Sequence, residues 1–143
     1  MRKKIIYTHT EETANASIKS WEKVKKYAQN DLSYVENRTA LLEKAIKEKK
    51  ALDNLSDAYI SDDYFQETRK NYSTFTTKLK TTLDFYNEHP DECELSSETL
   101  SHLTELHTDA YSWYKSFNKA VSTYKMKRDI YMMCYHCTFV QIL

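Results

Sequence analysis

Glycine is absent from all 143 residues, and proline occurs once, at Pro90. Average usage would make glycine about 7% of a chain, and its particular uses depend on positive φ or on close backbone approach to a ligand. The P-loop, the dinucleotide-binding G-x-G-x-x-G turn, the kinase glycine loop, the G-x-S-x-G nucleophile elbow, the EF-hand and the KH loop all need it by mechanism and are excluded. What is left is a helix-forming chain without a recognisable active-site motif. Lysine outnumbers arginine 17 to 4 and tyrosine occurs 12 times, a usage expected of AT-rich coding sequence such as that of a virus, a phage or a low-GC microbe.

Excess charge of one sign is also missing. Lys plus Arg and Asp plus Glu both number 21, so nothing in the balance favours the neutralisation of phosphates, and nucleic acid is not an expected partner. Cysteine is scarce and odd in number, at Cys93, Cys134 and Cys137, which supplies no disulfide framework. The apolar run after Met1-Arg2-Lys3-Lys4 is only Ile5-Ile6-Tyr7, too short for the core of a signal peptide. No stretch reaches the length of a transmembrane helix. These absences place the protein in the reducing interior of the cell, the cytoplasm.

Against them stand three long apolar stripes at helical spacing. Ile18, Trp21, Val24, Ala28, Leu32, Val35, Leu42 and Ile46 share one face. Phe65, Tyr72, Phe75, Leu79, Leu83 and Tyr86 share a second; Leu103, Leu106, Ala110, Trp113, Phe117, Val121 and Tyr124 share a third. Thr8-x-x-Glu11 fits a capping box before the first stripe, Ser61-Asp62-Asp63 opens the second, Pro90 closes it, and Ser96-Ser97-Glu98 opens the third. The expected helices span about 11–55, 62–87 and 97–135 of a single domain, 1–143. Three stripes with short connections bury one another as an all-α, elongated antiparallel three-helix bundle. A break near Asn30, where Ser33-x-x-Glu36 could cap a new helix, would instead make four helices. The stripe passes unbroken through Ala28, Leu32 and Val35, which favours one helix. The first and third helices would be longer than the second, leaving apolar surface for a homodimer to cover.

The chain ends in a short apolar tail. From Ile130 to Leu143 there is no Asp, Glu, Lys or Arg, directly after the basic run Lys125-Met126-Lys127-Arg128. Fourteen helical residues reach only about 21 Å, short of a bilayer core of roughly 30 Å. The tail is therefore either the end of the bundle core or a docking segment whose anchors are Tyr131, Met132, Phe139 and Ile142. Cys134-x-x-Cys137 has dithiol spacing, but it lies at a helix C-terminus, where the dipole disfavours a thiolate. His136 and Cys137 are adjacent, an awkward pair of zinc ligands, and no second C-x-x-C accompanies them. Glu-x-x-His and paired histidines at i, i+4 are missing, so no metal, cofactor or small-molecule ligand is expected.

Arg128 and His136 resemble the late Arg and His of HEPN ribonucleases, dimeric helical bundles. That resemblance implies an Arg that holds phosphate and a His that assists attack by the ribose hydroxyl. Seven residues separate Arg128 from His136, more than the family's four to six, and only Asp129 matches the polar residue after the Arg. Fold-level likeness carries little about function. The expectation from the residues is a non-enzymatic protein–protein interaction module, a small regulatory or accessory protein of a virus, phage or microbe. A HEPN-like ribonuclease and a structural coiled-coil spacer are its alternatives.

Overall fold

The structure, a computed structural model, describes residues 11–93 and 95–135. Three helices carry almost all of them: α1 (Glu11–Glu48), α2 (Asp62–Glu88) and α3 (Ser97–Cys134), of 38, 27 and 38 residues. Short 3-10 turns, Leu55–Asp57 and Pro90–Glu92, lie in the two connections, and no strand occurs among the described residues. The fold is the all-α three-helix bundle expected from the stripes, and the proposed break near Asn30 does not occur, since α1 runs through it without interruption.

Helix α1 stops seven residues before the expected Leu55. Lys49 takes φ 54°, in the left-handed region. Its N–H then reaches Ile46 O at 3.3 Å while the N–H of Lys50 reaches Ala45 O at 3.1 Å. This pair of bonds is the Schellman closure, in which glycine is the usual left-handed residue. A chain without glycine makes the stop with lysine, against a cost of roughly 1–2 kcal/mol for a side chain with a Cβ. No residue type in Lys47-Glu48-Lys49-Lys50 announces it. The starts of α2 and α3 and the end of α2 follow the expected signals: Ser61 Oγ accepts from Tyr64 N at 3.3 Å, Ser96 Oγ accepts from Thr99 N at 3.2 Å, and α2 ends two residues before Pro90.

The chain forms two compact units, one made of residues up to 28 with 70–114, the other of 29–69 with 115 onward. In the first, Trp21, Ala28, Tyr72, Leu79, Leu106 and Ala110 form one buried cluster, and Ala14, Leu83, Tyr86 and Leu103 another. Contacts such as Trp21 with Phe75 and Ala14 with Leu83 set α1 and α2 antiparallel, while Trp21–Asp109 and Trp113–Ala28 bonds set α1 and α3 parallel. Both indoles point inward, but Trp113 is only half-buried, short of the full burial its stripe predicts.

The carboxylate of Glu11 spans the start of this unit by accepting from Ser96 N and from the Thr99 hydroxyl at the first turn of α3. The residue that fits a capping box for α1 thus closes a different helix, 85 positions away in sequence. These bonds, the backbone one foremost, hold its pKa below the ordinary 4.5. A depressed folded-state pKa contributes stability that is complete above the unfolded value and lost as pH falls through the folded one. Thermal melts between about pH 5 and pH 3 should therefore show a steeper loss for the wild type than for Glu11→Gln. Equal slopes would remove the ionised cap.

In the second unit Val35, Leu42, Phe65, Phe117, Val121 and Tyr124 are buried. The rings of Phe65 and Tyr124 lie 5.5 Å apart. The connection after α1 is tied down from α3: the Tyr124 hydroxyl accepts from Ile60 N at 2.8 Å and donates to Ala58 O at 2.8 Å. The Tyr131 hydroxyl accepts from Leu52 N at 2.9 Å. Buried Thr39 satisfies its hydroxyl within α1 on Val35 O at 2.8 Å, which is how a polar residue enters the apolar stripe without an orphaned group.

Candidate functional site

The end of α3 is where the sequence places partner contact, and its side chains divide by face. Tyr131 is 2% exposed, its hydroxyl engaged with Leu52 and its ring 4.8 Å from that of Tyr135. Tyr135 in turn donates to Ala45 O at 3.3 Å. These tyrosines hold α3 to the end of α1. Met132 is half-buried beside them, and Phe139 and Ile142 lie outside the described residues.

The opposite face is open. Met126 is 53% exposed and Met133 80%, with half-buried Ile130 between them. The three occur at i, i+4 and i+7, so they form one row along the helix. Lys125 and Lys127 flank the start of the row, and Cys134 is an exposed free thiol at its end. The expected stripe ended at Tyr124, so Met126 escaped it; the signal available was the apolar spacing of the later row itself.

Arg128 is engaged within the chain. Its guanidinium lies 3.4 Å from Asp62 Oδ1 and 3.7 Å from Asp129, over the Tyr124 ring at 6.0 Å. His136, its expected ribonuclease partner, and Cys137 fall outside the described residues, as do Thr8 and the rest of the first ten. Cys93 is described, and burial, followed by the neighbouring Glu92, pushes its thiol pKa up, away from a reactive thiolate. No group of three or more His, Cys, Asp or Glu among the described residues is arranged to hold a metal ion.

Two sites among the described residues, at Tyr64 and at Trp21, carry unusual electrostatics. Tyr64 donates to Asp31 Oδ1 at 2.9 Å, and burial followed by this bond and charge drives its pKa far above 10.0. A phenol so raised is a fixed donor, not an acid. Asp109 Oδ2 receives Trp21 Nε1–H at 3.0 Å and Lys25 Nζ at 3.0 Å. Burial alone would raise its pKa, but the bonds from Lys25 and Trp21 outweigh it and the net shift is downward. The open grooves between helices include one of about 500 Å³ between α1 and α3 in the second unit and one of about 400 Å³ beside Trp21 and Asp109 in the first.

No protein-family model matches the chain, and no curated protein or solved structure is significantly similar to it. Among the described residues no helix is long and apolar enough to cross a membrane.

Proposed function

We propose that this chain is a helical protein–protein interaction module, of the regulatory or accessory kind, that docks a partner protein on the Met126–Ile130–Met133 row of α3. The single observation behind this reading is the exposure of that row: two methionines, 53% and 80% exposed, on the face of α3 opposite the buried Tyr124 and Tyr131. Methionine is flexible and polarizable, adapts to irregular surfaces and is enriched in interfaces. The flanking lysines favour an acidic rim on the partner, since complementary charge guides encounter and register.

Affinity purification of the tagged full-length chain from its own host tests the reading. The wild type should retain a stoichiometric partner that the Met126→Asp, Met133→Asp double variant loses, with the far-UV circular dichroism of the two proteins unchanged. Equal recovery by both proteins would overturn it, because a charge placed twice in a desolvated apolar contact is not tolerated.

A further inference from the structure

Between α1 and α3 in the second unit runs a groove of about 500 Å³ lined in part by small residues: Ala40 on one helix, Ser116 and Ala120 on the other. Side chains of this size let another helix approach closely, since interaxial distance is set by what stands at the contact. Small residues alone would not identify an occupant. The walls do.

The α1 wall carries Glu36 and Glu43, two helical turns apart, and the α3 wall carries Lys119. All three are exposed, and among the described residues none of them enters an ion pair within the chain, although they line the same groove. The groove is thus acidic along one edge and basic along the other. Such a face is complementary to itself under one symmetry operation. A two-fold axis parallel to the helices sets α1 of each copy against α3 of the other, so that the acidic wall meets the basic wall twice. A two-fold axis across the helices would set acid against acid and base against base. With 21 charges of each sign in the chain, no net repulsion opposes the association.

We propose that this groove is the interface of a homodimer, in which a second copy of the chain supplies α1 and α3 to complete a four-helix seam about the two-fold axis. The proposal is independent of the methionine row and gives the self-association expected from the stripes a particular face.

The test is a charge exchange followed by sedimentation equilibrium of the full chain. The wild type should dimerise at high micromolar concentration and weaken as salt is raised. Glu36→Lys, Glu43→Lys leaves both walls basic, and Lys119→Glu leaves both acidic, so each protein alone should dimerise at least about tenfold more weakly. An equimolar mixture of the two should recover dimers, because each like-charged face then meets its opposite. The substituted side chains are exposed, and unchanged far-UV circular dichroism confirms that the fold is kept. A monomeric wild type overturns the proposal. So does a dimer that persists in both variants, which would assign pairing to another face, or a mixture that stays monomeric. The Met126→Asp, Met133→Asp protein should dimerise as the wild type does, so loss of partner binding and loss of self-association are read separately.

Discussion

Replacing Tyr124 by Phe, a change of one oxygen, should lower the stability of this protein by about 3 kcal/mol. The side chain is 0% exposed and its hydroxyl bridges two backbone groups, accepting from Ile60 N and donating to Ala58 O. Ala58 and Ile60 are themselves buried, so water has no access to replace the lost partner. A buried group left without its hydrogen bond costs about 1–3 kcal/mol, and here one substitution strands two of them. For a chain of this length, each kcal/mol moves the melting temperature by roughly 2–4 °C, so a drop near 10 °C is expected. Tyr131→Phe is the internal control. Its hydroxyl accepts from Leu52 N in a part-buried setting, and the loss of that bond should cost about 1 kcal/mol. If the two variants melt together, the Tyr124 bridge is not what holds the connection between α1 and α2.

That bridge also marks how far this fold is readable from sequence. Helix positions were readable because the stripes are long and a 3.6-residue period is hard to produce by chance. Trp21, Ala28, Val35, Leu42, Phe65, Tyr72, Leu103, Phe117 and Val121 are all buried as their spacing predicts. The end of α1 was not, because its stop depends on the backbone angle of Lys49, and lysine carries no preference for that angle. Tyr124 was readable as apolar core but not as a bridge, since its partners lie 64 and 66 residues away and are backbone groups with no residue code. Glu11 is readable as a capping residue of α1, but its bonds to the first turn of α3 are not readable, for the same reason: those partners are 85 and 88 residues distant.

The candidate surfaces divide in the same way. Met126 and Met133 sit seven residues apart, a spacing visible in the sequence, yet Tyr131 and Met132 between them are just as apolar. Only the packing of Tyr131 against the end of α1 shows which side of α3 is left open. The groove between α1 and α3 has no linear signature at all. Ala40 and Ala120 are ordinary helix formers, and the opposition of Glu36 and Glu43 to Lys119 exists only once two helices from distant parts of the chain are set side by side.

Trp21→Ala should cost about 3–5 kcal/mol, and Trp113→Ala clearly less, although both indoles belong to one cluster. Trp21 is 5% exposed and stacks on Phe75 with ring centroids 5.4 Å apart. Its removal empties the contact with Phe75 and also takes from Asp109 one of two donors to the same oxygen. Trp113 packs on Tyr72 at 3.9 Å, but the residue is only half-buried, so less transfer free energy is lost with it. Its Nε1–H bonds to Ala28 O at 2.9 Å, a carbonyl within α1 that already has the helix to bond with, and removing it orphans no acceptor. Fluorescence separates the two without a stability measurement. The Trp113→Phe protein, which retains Trp21, should emit further to the blue than Trp21→Phe, which retains the less buried tryptophan. Reversal of that order, or a larger loss of stability from Trp113→Ala, would place the wrong tryptophan at the centre of the first unit.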